Sequence, residues 1–179
     1  MPSPERPNPG RPSPDACGFE VDLSVSDTRW HGADSDVSDL VERAVAAALA
    51  VAPQRPGGPL EVCVVLSDDA AVRDLNRTWR GQDRPTNVLS FPATGAHHGS
   101  GPRLVGDVVL AYETVLRESA AETKPLKDHL AHLVVHGTLH LLGEDHETGE
   151  DEARAMERLE IAALASLGIP DPYGDEAAV

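Results

Sequence analysis

Cysteine is nearly absent from this 179-residue chain, with Cys17 in a proline-rich segment and Cys63 in an apolar run as its only two. So small a supply excludes a disulfide framework and a cysteine-based metal knuckle. Long hydrophobic runs are lacking as well. Apolar residues make up 40% of the chain, but no run approaches the ~18 residues that span a bilayer, and no basic patch followed by an apolar core opens the sequence. The expectation is a soluble, unsecreted, cytoplasmic protein with no membrane partner. Positive charge is scarce, since 15 Lys and Arg against 30 Asp and Glu leave a formal net charge of -15. That balance reverses the global footprint of sequence-nonspecific nucleic-acid binders, so any nucleic acid must be met by a local patch.

A chain of 179 residues favours one domain. Residues 1–18 hold six of the 15 prolines and almost no large apolar residue, a composition that cannot offset the entropy of ordering. They are expected to form a disordered tail, with the domain over 19–170 and an acidic tail over 171–179. Phe19 to Val25 alternates apolar and polar residues, as a half-buried strand does. Val37 to Val51 has helical spacing after Ser35 and Asp36, both good capping types, and Pro53 and the Pro56-Gly57-Gly58-Pro59 turn stop it. Leu60 to Leu66 is nearly continuous in apolar residues, which predicts a strand covered on both faces. A short helix bearing Val72, Leu75 and Trp79 follows, then a strand Asn87 to Phe91, a Gly/His-rich loop, a strand Leu104 to Ala111 and a helix Tyr112 to Ala121. Pro125 opens what reads as the longest helix, running to Leu141, and a last helix extends from about Gly149 to Leu167. The expected class is α+β or α/β, a small mixed four-stranded sheet packed with about five helices.

His136 and His140 stand four apart on a predicted helix, so their β-carbons lie about 5–6 Å apart on one face, within reach of one metal ion. Gly143 permits the left-handed turn that ends a helix and brings His146 back as a third ligand. Three imidazoles suit a single Zn2+ and leave a fourth position for water, the open arrangement of a catalytic site. The same spacing occurs in metzincin proteases, but Gly137 stands where their glutamate base follows the first histidine. His132 shares the His136/His140 face and reads either as a supporting or substrate-side residue or as a satisfied structural histidine. His129 is expected at the surface, and His97 and His98 in a solvated loop. Asp145 either orients an imidazole or accepts a proton, or merely flanks a helix end.

Between Val72 and Arg103, five arginines oppose two aspartates, a basic island in an acidic chain. Guanidinium groups grip phosphate oxygens bidentately and stabilise charge developing on phosphorus, so Arg80, with Arg77 and Arg84, is a candidate for binding a phosphodiester; a solvated helix end is the alternative.

These two segments together resemble the YbeY family of bacterial endoribonucleases, the rRNA maturation factors. The likeness rests on Arg80-Gly81-x-Asp83-x-Pro85-Thr86-Asn87-Val88-Leu89-Ser90-Phe91-Pro92, on Gly106-Asp107 and on His136-Gly137-x-Leu139-His140-Leu141-Leu142-Gly143-x-Asp145-His146, and runs from about Phe19 to Tyr173. It implies a zinc-dependent, single-strand-specific endoribonuclease acting in small-subunit rRNA 3′-end maturation and ribosome quality control. Ribosomes, small-subunit ribosomal proteins and a ribosome-associated GTPase are the implied partners. His136, His140 and His146 correspond to the metal ligands, and Arg80 to the arginine of the active cleft, with catalysis assigned to Arg80 and His136. Glu144 departs from a position that is often aromatic, and the extension before Phe19 is longer than usual. A non-catalytic ribosome-assembly factor and, further off, a metallopeptidase are the competing readings.

Overall fold

The alternation of Phe19, Val21, Leu23 and Val25 with Glu20, Asp22 and Ser24 lays down β1 (Phe19–Val25), its apolar residues packed on the core and its polar ones exposed. The computed structural model describes residues 18–97, 99–145 and 149–174. The proline-rich segment 1–17, His98, His146 and the acidic end 175–179 lie outside these described residues. Strand β2 (Leu60–Ser67) pairs parallel with β1, β3 is Val88–Pro92, and β4 (Arg103–Ala111) pairs parallel with β2 and antiparallel with β3. The order across this mixed sheet is β1-β2-β4-β3, which leaves β1 and β3 as edges. Register places Asp22 opposite Cys63, and Cys63 opposite Asp107.

Five helices complete the α+β domain. The Asp36 carboxylate accepts from the Asp39 N–H and starts α1 (Val37–Val51), satisfying a donor that the first helical turn leaves unpaired. Asp68 does the same for α2 (Asp69–Arg80) through the Ala71 N–H. The others are α3 (Tyr112–Ala121), α4 (Leu126–Leu141) behind Pro125, and α5 (Glu150–Ser166). With 17 residues against 16, α5 rather than α4 is the longest helix described. None of the described helices is long and apolar enough to cross a membrane.

Helices α1, α4 and α5 share one core with a single face of the sheet, built from residues such as Val41, Leu60, Leu66, Leu130, Met156 and Leu164. Each such side chain withdrawn from water contributes about 1.5–3 kcal/mol. The opposite face carries α2 over β3 and β4, with a smaller cluster of Val72, Leu89, Val109 and Ala111. Strand β2 is therefore covered on one face and not on two. Leu60, Val62, Val64 and Leu66 are buried, while Glu61, Cys63 and Val65 are half-buried, because α2 sits toward the far edge of the sheet. A short 3-10 turn, Thr28–Gly32, absent from the sequence reading, buries Trp30 completely. Its indole N–H donates to the Ser67 carbonyl at 2.8 Å, and its ring meets Tyr112 edge-on at 5.1 Å.

Candidate active site

Helical spacing sets four imidazoles along α4, and their separations are unequal. Ring centroids lie 6.3 Å apart for His129 and His132, 6.5 Å for His132 and His136, and 4.6 Å for His136 and His140. His132/His136 and His136/His140 share four-residue spacing, and only the second pair closes to 4.6 Å. Beyond Leu142 the chain leaves the helix through Gly143, whose φ of 92° is a backbone conformation that L side chains resist. His146, the third predicted ligand, lies outside the described residues.

Beneath these rings sits a group that the sequence reading missed. The Glu160 side chain, only 1% exposed, comes from α5 and accepts from His136 Nδ1–H at 2.6 Å, from His132 Nε2–H at 2.8 Å and from the Tyr173 hydroxyl. An ionised carboxylate can only accept, so these contacts assign the proton to Nδ1 of His136 and leave Nε2 carrying the ligating lone pair. Burial pushes the Glu160 carboxyl up, but the hydrogen bonds from His132 and His136 outweigh it and hold the group well below the usual carboxylate range. Tyr173 is driven the other way, first by burial and then by its bond to Glu160. His132 thus supports the cluster through the same carboxylate as His136. His129 is buried at 5% exposure and not on the surface, since it shares a helix face with Leu126, Leu130 and Leu133. Its Nε2–H donates to Glu118 Oε2 at 2.8 Å, and the Asn87 amide donates to the same oxygen at 3.1 Å.

The end of α2, strand β3 and the exposed side of α4 enclose a cleft of about 600 Å³ lined by Trp79, Arg80, Phe91, His136, His140 and Asp145 among others. A second cavity of about 540 Å³ lies beside it, bordered by Glu118, Lys124, His132 and Tyr173 and sharing Asn87, Val88 and His136 with the first. The fold thereby brings Arg80 to the same cleft as the close histidine pair. Arg84 joins Arg80 at an adjoining pocket and bonds to the Gln82 side chain at 3.1 Å. Arg77 is paired with Asp74 at 2.8 Å on exposed surface and does not line the cleft. His97 is exposed.

Gly137 explains how α4 can lie so close to the sheet. A Cβ there would stand 2.6 Å from Val108 Cγ1 and 3.1 Å from Ser90 Oγ, and the Ser90 hydroxyl donates to the Gly137 carbonyl at 3.1 Å. A glutamate directly after the first histidine, as the peptidase pattern needs, would collide with β4.

Two adjacent imidazoles, one held in its Nε2-ligating tautomer by a buried carboxylate, fit a borderline-soft divalent ion as donors. One other group lies elsewhere. Among the described residues, ligand atoms of Asp22, Glu61 and Cys63 converge within 4.8 Å on the solvent side of β1 and β2. Burial, then the charges of Asp107, Asp22 and Glu61, push the Cys63 thiol up to about 11.

Comparison with known proteins bears on the whole domain. A family model described as Endoribonuclease YbeY matches residues 24–168. The protein named Endoribonuclease YbeY from Rhodopseudomonas palustris is 52% identical over 157 residues, covering 86% of this chain and 89% of its own length. Its namesake from Magnetococcus marinus is 55% identical over 123 residues, 64% of this chain and 84% of its own. A Thermotoga maritima protein solved in solution overlays with a TM-score of 0.49 at 21% identity, covering 83% of this chain and 91% of that one. With the family match running from the end of β1 past the end of α5, and about half of the aligned residues shared with a relative covered over 89% of its length, this chain belongs to the Endoribonuclease YbeY family.

Proposed function

We propose that this protein is a metal-dependent endoribonuclease that cuts single-stranded RNA, with the 3′ end of small-subunit rRNA as its target and zinc as its metal. Ribosomes, small-subunit ribosomal proteins and a ribosome-associated GTPase are its partners, and it works in the cytoplasm. The observation that carries this reading is the meeting of Arg80 with the 4.6 Å His136/His140 pair in one cleft. His136, His140 and His146 would hold the ion. When bound, such an ion supplies Lewis acidity for hydrolysis, polarising the phosphodiester and acidifying water.

The remaining work falls to side chains of this chain. Arg80, at the C-terminal end of α2, presents a guanidinium fork to the non-bridging phosphate oxygens, where negative charge grows in the transition state. Arg84, beside it in the adjoining pocket, extends the anion-binding surface along the strand. Glu160 keeps His136 in one tautomer and one orientation. Asp145 is the single carboxylate among the described cleft-lining residues, and we assign it as the proton acceptor.

Purified protein given single-stranded RNA is expected to cut it internally, to stop when a chelator is added, and to fall to background in His136→Ala, with casein untouched throughout. Uncut RNA with the metal-loaded protein, or a His136→Ala variant as active as wild type, would overturn the reading. A variant that cuts nothing but still restores normal rRNA ends in depleted cells would establish the assembly-factor role instead. The new 3′ ends discriminate two routes: a cyclic phosphate means attack by the ribose 2′-hydroxyl and excludes direct attack by water.

A further inference from the structure

Trp79 stands out among the apolar residues as the one the fold leaves in solvent. It is 70% exposed, whereas the next most exposed large apolar residues described, Leu116 and Leu104, are at 42% and 41%. It sits in the last turn of α2, immediately before Arg80, and lines the same cleft as His136 and His140. Phe91 of β3 meets it obliquely, with ring centroids 6.2 Å apart and planes at 61°. That contact steadies the indole without covering its faces, since most of the ring surface remains open to water. Arg80, next to it in the chain, lines the same cleft, and Arg84 borders the adjoining pocket.

An aromatic plane beside guanidinium groups is the combination by which proteins hold unpaired nucleic acid: the cations track the phosphates and a base lies on the ring. We propose that Trp79 is a stacking platform for one unpaired nucleobase of the RNA, next to the phosphodiester that Arg80 receives. This rests on the endoribonuclease reading and adds to it a physical origin for strand selectivity. A base inside a duplex has both faces occupied by its neighbours and cannot lie on the indole, so duplex RNA forfeits this contact. Stacking on any base is similar in strength, so Trp79 selects unpaired over paired RNA and not one sequence over another.

The test combines protein and RNA changes. Full-length metal-loaded protein is given a single-stranded RNA in which one abasic residue is walked across the positions flanking the cut. One position is expected to raise KM about tenfold, the effect of losing one stacked base. Trp79→Ala on intact RNA raises KM by a similar factor, Trp79→Phe restores most of it, Trp79→Leu does not, and Trp79→Ala adds no further penalty on the sensitive abasic RNA. Fluorescence gives a readout independent of turnover. Of the chain's two tryptophans, Trp30 is 0% exposed and Trp79 is 70% exposed, so acrylamide quenching reports Trp79, and intact RNA but not the abasic RNA is expected to protect it. Cleavage with an unchanged KM in Trp79→Ala, or an equal penalty from Trp79→Ala on intact and abasic RNA, overturns the platform while the nuclease reading stands. A defect seen only with ribosomes and not with naked RNA would make Trp79 a protein-docking residue and also overturns it. RNA left uncut by the wild-type protein overturns both.

Discussion

Glu160 lies under α4 with three donors turned toward it, whereas Asp22 and Glu61 stand on the solvent side of the sheet with a thiol between them. The two regions use the same chemical group in opposite ways. Where donors from α4 and the C-terminal segment converge, a buried carboxylate stays ionised and locks the side chains that meet it. Where acids gather around a half-buried thiol, a neighbour bears the consequence: burial first, and then the acids' charges, make Cys63 hold its proton more tightly than a free thiol does. The lesson is that a carboxylate's role follows from the partners the fold brings to it.

The largest effect should come from removing the hub. Glu160→Ala leaves two part-buried imidazole N–H groups and a tyrosine hydroxyl without their acceptor, and should cost about 3–5 kcal/mol of stability, at about 1–3 kcal/mol for each donor left unsatisfied. Thermal unfolding would measure it, and a melting temperature unchanged from wild type would break the comparison. Glu160→Gln keeps the shape but sets an amide against the imidazole donors. It is expected to cost about 1–3 kcal/mol and to weaken metal binding about 10–100-fold in a chelator competition. On the sheet the effects are smaller. Cys63 should react with iodoacetamide at pH 7.5 at least about tenfold more slowly than free cysteine, because the thiolate is the nucleophile, with the rate rising with pH until about 11. Peptide mass mapping would follow the modification at this residue. Smallest of all, Asp22→Asn should speed that reaction a few-fold while leaving stability within about 0.5 kcal/mol.

Local signals were legible and long-range partners were not. Helices α1 and α3 begin and end where apolar spacing and flanking residues put them, and the β1 alternation survives residue by residue. Spacing alone put His136 and His140 on one helix face, but it does not encode their closer approach, since His132 and His136 share that spacing and lie 6.5 Å apart. Whether β2 is covered once or twice depends on where the helices land, which an apolar run does not encode. Glu160 did leave a trace, since it falls on the buried face of α5 with Met156, Ala163 and Leu164, and an acid inside an apolar stripe calls for a partner. Likewise, the place of His129 among Leu126, Leu130 and Leu133 was readable as burial. Tyr173, in the stretch taken for an acidic tail, carried no such sign; its role exists only because the chain returns to α5 after Ile169.

The outer position of β1 has a colloidal consequence. An open strand edge offers unpaired amides to any similar edge in a crowded solution. Two copies of β1 meeting antiparallel would set Glu20, Asp22 and their counterparts against one another on the same side of the joined sheet. Like charges directly opposed weaken such pairing, so these acids act as a guard against runaway ribbon growth between molecules.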